Sequence, residues 1–276
     1  MLKARVITAL ILVAILLPSV FWLPQLYWAL LVAGFIGIAA WEWGALLGWN
    51  GRSRILLGGS VAGLCAIMTL VDPSALGIGE YQPVQAWVFL LYGLSTAFWC
   101  LLIPFWLKQR WALSGVFGLL VGAVVLLPTW LAMVQLRAMD PAVLLAAFAV
   151  VWVADIAAYF AGRRFGKKKL APNISPGKTW EGAYGATAGV MIYGLVLGHL
   201  YLADRVSLPL WLVVLLVVTA ISIIGDLFES LLKRKAGIKD SSNILPGHGG
   251  VLDRIDSLTS TLPLLAFATL LYFYQA

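Results

Sequence analysis

The chain has 276 residues, of which 62% are hydrophobic and 11% are charged, with a formal net charge of +7 and a mean hydropathy of +0.95. Soluble domains carry about 25% charged residues, so this composition excludes an ordinary soluble globular protein. Apolar runs recur along the chain, and each is long enough to cross roughly 30 Å of hydrocarbon as a helix. The sequence therefore predicts an all-α, polytopic integral membrane protein.

Breaks between the apolar runs predict nine transmembrane helices. In chain order they cover residues 6–23, 26–47, 55–71, 84–107, 111–136, 141–162, 180–203, 208–232 and 257–274. The first run follows Lys3 and Arg5, as in a signal peptide. It is longer than the apolar region of a signal peptide, and no small-residue cleavage pattern follows it. We therefore expect this run to be retained as the first helix.

The positions of the basic residues predict the orientation of the chain. With the N-terminus inside, seventeen of the nineteen Lys and Arg residues fall in cytoplasmic segments, and only Arg137 and Arg205 fall outside. The positive-inside rule describes such a bias, and nine spans then place the C-terminus outside. Because topology and attraction to anionic lipid headgroups explain the net charge, we expect no nucleic-acid partner.

Polar residues are concentrated in the second half of the chain. Eight of the twelve acidic residues and twelve of the nineteen basic residues lie between positions 155 and 256. We therefore expect residues 1–140 to form a transmembrane scaffold and residues 141–276 to form a catalytic region. Glu42, between Trp41 and Trp43, is an acidic residue of the first half, and it is either a buried contact or a surface residue.

The eighth predicted span carries a polar stripe. Asp226, Glu229, Ser230 and Lys233 share one face when the segment is drawn as a helix. Carboxylates inside a membrane span are costly and usually mark function. The alternative is a helix end that drifts into the headgroups with its lysine reaching the interface.

A second group of carboxylates follows Gly250. Asp253 and Asp256 are three residues apart, so on a helix both point roughly the same way, with Arg254 turned aside. Hard cations such as Mg²⁺ bind carboxylate oxygens and share them with substrate phosphates. We predict that Asp226, Asp253 and Asp256 form one metal site; the alternative is a salt bridge to Arg254 or Lys239.

Another polar stripe lies in the sixth predicted span. Asp155 and Tyr159 form an i, i+4 pair, and Arg163 continues the same face. A structural Asp–Arg pair explains this pattern as well as a catalytic role does.

Two loops combine glycine with basic residues. The first, GKKKLAPNISPGKT (166–179), is not a P-loop, because Pro172 replaces the leading glycine and no strand is expected before it. We expect Ser175 to begin a helix whose free N–H groups, with Lys178, attract phosphate. The second, GIKDSSNILPGHGG (237–250), predicts an anion-binding nest at Gly247, Gly249 and Gly250, where His248 either contacts ligand or is structural.

The segment SLLKRKAGIKDSSNILPGHGGVLDRID (230–256) resembles the signature of bacterial phosphatidate cytidylyltransferases, the CDP-diacylglycerol synthases. A second block, DIAAYFAGRRFGKKKLAPNISPGKTWEG (155–182), is also similar to that family. The resemblance implies a Mg²⁺-dependent reaction, with a second cation an option, in which CTP and phosphatidate give CDP-diacylglycerol and pyrophosphate. It also implies a bacterial inner membrane and a homodimer. The predicted topology places the candidate site residues toward the cytoplasmic side, which soluble CTP must reach.

Under this hypothesis the catalytic residues are of two kinds. Carboxylates hold the metal, and basic residues bind phosphates while charge develops on the departing pyrophosphate. The catalytic set is Asp226, Asp253, Asp256, Lys178, Lys239 and Arg254, and the expected cofactor and nucleotide contacts are Ser175, Lys178, His248, Gly249 and Gly250. Two alternatives remain open: a CTP-dependent lipid or polyprenol kinase, and a transporter that uses intramembrane carboxylates.

Overall fold

The computed structural model describes residues 2–79, 84–202 and 206–275. Nine long helices form within these residues: α1 (Leu2–Trp22), α2 (Gln25–Leu46), α3 (Gly51–Val71), α4 (Ala86–Gln109), α5 (Gly115–Met139), α6 (Pro141–Phe165), α7 (Trp180–Leu197), α8 (Leu208–Lys235) and α9 (Leu252–Gln275). A π turn, Phe98–Leu102, lies within α4, and a second, Gly198–Leu202, extends α7. One 3-10 turn, Ser74–Leu76, lies between α3 and α4.

The predicted all-α membrane fold is confirmed. Helices α2 to α9 are each long and apolar enough to cross a membrane, and the described part of α1 contributes a shorter apolar segment, Val6–Trp22. The start of α9 also differs from the prediction, since the helix begins at Leu252 instead of 257 and so includes Asp253 and Asp256. Position 203, Arg205 and the C-terminal residue, which the topology prediction also involves, lie outside the described residues.

Local sequence signals explain several helix ends. Asn50 accepts a hydrogen bond from Ser53 N (3.0 Å) at the start of α3, and Asp140 accepts one from Ala142 N (2.7 Å) at the start of α6. Short polar side chains suit this position because they satisfy N–H groups that have no partner within the helix. Arg110 ends α4 in the left-handed conformation, with φ +56°.

A two-stranded hairpin interrupts the helical pattern between α6 and α7. Strand β1 (Lys169–Ala171) pairs antiparallel with β2 (Ser175–Thr179), with Lys169 opposite Thr179 and Ala171 opposite Ser175. The expectation that Ser175 begins a helix is therefore wrong. The helix begins at Trp180, and Thr179 is its cap, with Oγ1 accepting a hydrogen bond from Gly182 N (3.1 Å).

One buried core includes side chains from both halves of the chain. Phe228 of α8 makes edge-to-face contacts with Phe98, Trp99 and Trp106 of α4, with ring centroids 5.5–6.1 Å apart. Such pairs contribute about 0.5–1.5 kcal/mol beyond the area that they bury. Side chains of α4, which lies within residues 1–140, thus support the helix that carries Asp226.

Helices α8 and α9 approach closely at Gly225, which faces Ser260. A Cβ placed on Gly225 would overlap Ser260 Oγ and lie 3.1 Å from Asp256 O. Ser260 Oγ donates to Ile221 O (3.0 Å), and Ser257 Oγ donates to Ser222 O (3.2 Å). Small residues and interhelical hydroxyl bonds are the usual means of joining helices in a membrane. This contact places Asp226 beside the turn of α9 that carries Asp256.

Arg137, one of the two basic residues expected outside, is buried at the end of α5. Its guanidinium donates to Val20 O (2.9 Å), Gln25 Oε1 (2.6 Å) and Leu23 O, and it lies over the Trp28 ring. The carbonyls at a helix C-terminus attract positive charge. Arg137 thus satisfies the end of α1 and fastens it to α2 and α5.

Candidate active site

Most of the predicted site residues lie at one end of the helix bundle, where α8 ends and α9 begins. The β1–β2 hairpin and the loop of residues 236–251 lie at the same end, because each connects helix ends located there. Thr8 Oγ1, near the start of α1, donates to Pro246 O in this loop (3.0 Å). The start of the chain and the loop therefore share one side of the bundle.

The polar stripe on α8 forms as predicted. Ser230 Oγ donates to Asp226 Oδ1 (3.2 Å), and Lys233 Nζ donates to Glu229 Oε2 (2.8 Å). The Lys233 side chain points into the bundle, with 13% of it exposed, instead of extending toward the membrane interface. The alternative of a helix end that drifts into the interface therefore does not describe these residues.

Asp253 is held by four hydrogen bonds. Lys233 Nζ donates to its Oδ1 (2.6 Å), and its Oδ2 accepts from Ser241 N and Oγ (both 2.9 Å) and from Gly250 N (2.8 Å). Asp253 therefore joins the loop to both α8 and α9. The alternative salt bridge to Arg254 or Lys239 is wrong for Asp253, since its cation is Lys233.

The backbone amides at the start of α9 are already occupied. Gly250 N bonds to Asp253, while Val251 N (3.0 Å) and Leu252 N (2.6 Å) donate to the two carboxylate oxygens of Glu42. Of the predicted anion-binding nest at Gly247, Gly249 and Gly250, the Gly250 N–H is thus occupied by a protein carboxylate. The glycines instead allow close packing: Gly249 has φ +81°, and a Cβ on Gly250 would overlap Glu42.

Asp226 and Asp256 form a second acidic group with Asp155 of α6. All three are close enough to interact electrostatically with one another. Asp226 also pairs with Lys178, which reaches it from strand β2, and Asp155 lies within electrostatic range of Lys178 and Arg254. Asp155 is not paired with Arg163, whose Nη1 donates to Tyr159 Oη (2.9 Å). The structural Asp–Arg pair considered above is therefore absent from this stripe.

Lys178 occupies a place that the sequence did not indicate. A P-loop was excluded from the sequence for two reasons. The first holds, because Pro172 occupies the position of the leading glycine. The second is wrong, because strand β1 ends at Ala171, directly before Pro172. The strand belongs to an antiparallel hairpin, and a P-loop instead joins a parallel strand to a helix. Lys178 neutralises Asp226 from this hairpin and is half-buried.

The remaining predicted contacts differ in their surroundings. Lys239 and Arg254 are exposed and, among the described residues, neither side chain makes a hydrogen bond or an ion pair, so both are available to anions. His248 is half-buried, and its Nδ1 has no hydrogen-bond partner in the described part of the chain. Ser175 is half-buried on β2 opposite Ala171.

The charges of the cluster favour a divalent cation. The cluster contains five carboxylic side chains and three basic ones, a formal excess of two negative charges when all are ionised. The acidic residues are Asp155, Asp226, Glu229, Asp253 and Asp256, and the basic residues are Lys178, Lys233 and Arg254. Glu229 Oε1 is buried and has no hydrogen-bond partner in the described residues. A hard cation requires oxygen ligands of this kind.

The predicted ligands do not all surround one point. Within residues 2–79, 84–202 and 206–275, no three His, Cys, Asp or Glu side chains are grouped as a metal site would require. Asp253 has both oxygens engaged, whereas Asp256 accepts one hydrogen bond, from Ser257 N (2.7 Å). Asp226 also has both oxygens engaged, by Ser230 and by Lys178.

One residue of this site, Glu42, had no functional role assigned from the sequence. Glu42 was the acidic residue in the predicted span 26–47, and its alternatives were a buried contact or a surface position. It is fully buried, with 0% exposed, and it bonds to Ser242 Oγ (2.5 Å) as well as to the start of α9. Its location within an apolar run was the available signal, since a carboxylate there requires polar partners.

Comparisons with known proteins show the family to which the chain belongs. The profile of the Cytidylyltransferase family matches residues 3–273. The chain is 40% identical over 280 residues to the phosphatidate cytidylyltransferase of Pseudomonas aeruginosa. The alignment covers 99% of this chain and 97% of the relative. The chain is 34% identical over 292 residues to the protein of the same name from Haemophilus influenzae, in an alignment that covers 99% of each chain. A Brucella suis protein of the same name is 50% identical over 130 residues, 47% of this chain and 45% of the relative. This chain therefore belongs to the cytidylyltransferase family.

Proposed function

We propose that this nucleotidyltransferase transfers the cytidylyl group of CTP to phosphatidate and releases pyrophosphate, with CDP-diacylglycerol as the lipid product. The observation that carries the proposal is the similarity over nearly the whole chain to enzymes named phosphatidate cytidylyltransferase. The cluster of carboxylates and basic residues at one end of a membrane-spanning bundle is suited to joining a soluble nucleotide to a lipid phosphate.

The reaction needs little proton chemistry from the protein. An oxygen of the phosphatidate phosphate attacks the α-phosphorus of CTP, and the bond from that phosphorus to the oxygen bridging to the β-phosphorus breaks. The attacking phosphate is already an anion near neutral pH, so no dedicated general base is required. The protein must instead bring two polyanions together and stabilise the charge that develops on the leaving pyrophosphate.

The basic residues fit this electrostatic role. The side chains of Arg254 and Lys239 are exposed and make no hydrogen bond or ion pair among the described residues, and we assign them to substrate phosphates. Lys178 pairs with Asp226 at the edge of the same cluster, where its ammonium would meet a bound phosphate. Lys233 is saturated by Glu229 and Asp253, so we assign it to holding the site together.

We assign the Mg²⁺ that the family resemblance implies to Asp226 and Asp256, with the unpaired oxygen of Glu229 beside them. A bound Mg²⁺ would neutralise phosphate charge and orient the nucleotide. In this proposal Asp253, predicted above as a direct ligand, orients the loop and α9 instead. The optional second cation of the sequence analysis stays a prediction.

The surroundings of Asp155 favour access from the lipid. Asp155 is exposed on α6, and its neighbours Ile156 (58% exposed), Tyr159 (57%) and Phe160 (65%) form an apolar surface of the bundle. A phosphatidate headgroup could reach the carboxylate cluster from this side while its acyl chains stay in the hydrocarbon. The homodimer that the resemblance implies stays a prediction.

The assay that tests the proposed function measures pyrophosphate release by the purified, full-length protein with CTP and phosphatidate. We expect release only when both substrates are present, and mass spectrometry should find CDP-diacylglycerol. A phosphorylated alcohol formed from CTP would indicate the lipid kinase instead. Movement of a solute into vesicles without pyrophosphate release would indicate the transporter.

We further propose a bacterial inner membrane, with the N-terminus and the active site on the cytoplasmic side. In a variant without Cys65 and Cys100, Asp240→Cys and Ser207→Cys place single thiols at exposed positions at opposite ends of α8 and its loops. In spheroplasts, a membrane-impermeant maleimide should label position 207 and spare position 240 until the cells are opened. Labelling of position 240 from outside would contradict the orientation and cytosolic access of CTP.

A further inference from the structure

Glu42 is the acidic residue of α2 that reaches into the active-site loop. Its Oε1 accepts hydrogen bonds from Ser242 Oγ (2.5 Å) and Val251 N (3.0 Å), and its Oε2 accepts one from Leu252 N (2.6 Å). The partners lie 200 or more positions away in the sequence. The contact thus connects the first half of the chain to the start of the helix that carries Asp253 and Asp256.

Burial of this carboxylate is costly unless its partners are placed for it. Glu42 is 0% exposed, and an unpaired charge in such surroundings is strongly disfavoured. The N-terminus of a helix compensates, because its first N–H groups have no partner within the helix and carry partial positive charge. Glu42 and the start of α9 therefore stabilise each other only in one relative position.

Gly250 restricts the relative positions that Glu42 and the start of α9 can adopt. A Cβ at this residue would overlap both Ser241 Oγ and Glu42 Oε1, so the loop passes between them without a side chain of its own. Gly250 N and Ser241 Oγ in turn donate to Asp253 Oδ2. Glu42 binds Val251 N, the amide that follows Gly250 N, so a displacement of Glu42 would shift the backbone that holds Asp253.

We propose that Glu42 is a positioning residue of the active site. It touches no substrate in this proposal; it holds the first turn of α9 and the loop 236–251 against α2, so that Asp253 and Asp256 face the α8 carboxylates. The proposal rests on the proposed function for its kinetic consequence. Its structural consequence is independent of which reaction the protein catalyses.

The test compares Glu42→Gln with Gln25→Ala in the purified full-length protein. Glutamine keeps the size of the side chain but has one acceptor oxygen, so its amide nitrogen must face an N–H or O–H donor. Gln25, at the other end of α2, donates to Leu76 O and Val134 O (both 2.9 Å), so its loss controls for general weakening of the same helix.

For Glu42→Gln we expect kcat per folded molecule to fall about 10–100-fold, the range typical for partners that orient metal-binding groups. The Mg²⁺ concentration for half-maximal activity should rise, and amide hydrogen exchange should quicken in residues 241–253. Gln25→Ala should lower thermal stability and leave both properties as in the wild type. Ser242→Ala should cause a smaller loss that does not add fully to that of Glu42→Gln, because the two share one hydrogen bond.

The outcomes separate the two proposals. If the wild-type protein releases no pyrophosphate, the proposed function is wrong. The positioning role of Glu42 is then tested by hydrogen exchange alone. If exchange in residues 241–253 is unchanged in Glu42→Gln, the positioning role is wrong. Activity lost only in proportion to the folded fraction, as expected for Gln25→Ala, would likewise overturn it and leave Glu42 a structural contact.

Discussion

Asp256→Asn is expected to lower kcat by about 100-fold or more, the loss typical when one preorganised charge-stabilising group is removed. The thermal stability of the variant should equal or exceed that of the wild type. Asp256 lies among Asp155, Asp226 and Glu229, so removing its charge relieves repulsion between carboxylates. Loss of activity with a gain in stability is the pattern expected of a functional site.

Among the predicted metal ligands, Asp256 is the residue whose change to asparagine disturbs the fewest hydrogen bonds. Among the described residues, the Asp256 carboxylate accepts one hydrogen bond, from Ser257 N (2.7 Å), which the oxygen of asparagine can still accept. In Asp253→Asn, by contrast, an amide nitrogen would face Lys233 or the N–H groups of Ser241 and Gly250, so packing would change along with charge.

The measurement is pyrophosphate release as a function of Mg²⁺ concentration, together with thermal unfolding in detergent. Partial recovery of Asp256→Asn at high Mg²⁺ would support a metal role. Asp140→Asn, at the start of α6 on the far side of the bundle, is the matched control and should retain wild-type activity. Near-wild-type turnover in Asp256→Asn would contradict the mechanism.

Lys233→Met is expected to reduce the free energy of unfolding by about 3–5 kcal/mol, the usual effect of removing one partner from a buried ion pair. Lys233 bridges Glu229 (2.8 Å) and Asp253 (2.6 Å), whose side chains are 5% and 4% exposed. Without the ammonium, both carboxylates remain buried and repel each other. Activity should fall as well, because Asp253 loses a partner that fixes its orientation.

Thermal unfolding of the two purified variants Lys233→Met and Lys235→Met measures this effect. Lys235 lies two residues away on α8 but is exposed, so its loss should change stability little. Adding Glu229→Gln to Lys233→Met should restore part of the stability, since one of the two uncompensated charges is gone. Equal stability of the Lys233 and Lys235 variants would show that the bridge contributes nothing measurable.

The sequence by itself determined the features that depend on local pattern. Apolar runs long enough to cross hydrocarbon predicted the nine helices, because helix formation in a membrane requires only that each segment satisfy its own backbone hydrogen bonds. The spacing of Asp226, Glu229, Ser230 and Lys233 likewise predicted a stripe, since residues three and four apart share one face of any helix. The hydrogen bonds within that stripe follow the spacing.

Local pattern did not predict the hairpin. The residues SPGKT were expected to start a helix because serine and proline are typical of helix N-termini. In the structure they form β2, and the cap is Thr179, four residues later. Pairing with β1 overrides the local preference, and pairing between strands is decided by the chain on both sides of the turn.

Only the tertiary structure decided which charges meet. Many basic residues were available to the carboxylates, and Asp253 pairs with Lys233, Asp226 with Lys178, and Glu42 with the start of α9. Electrostatic and hydrogen-bond energies depend on separations of a few ångströms. Such separations between segments 20 to 210 residues apart in the chain are set by how the helices pack, and residue spacing along one helix carries no information about them.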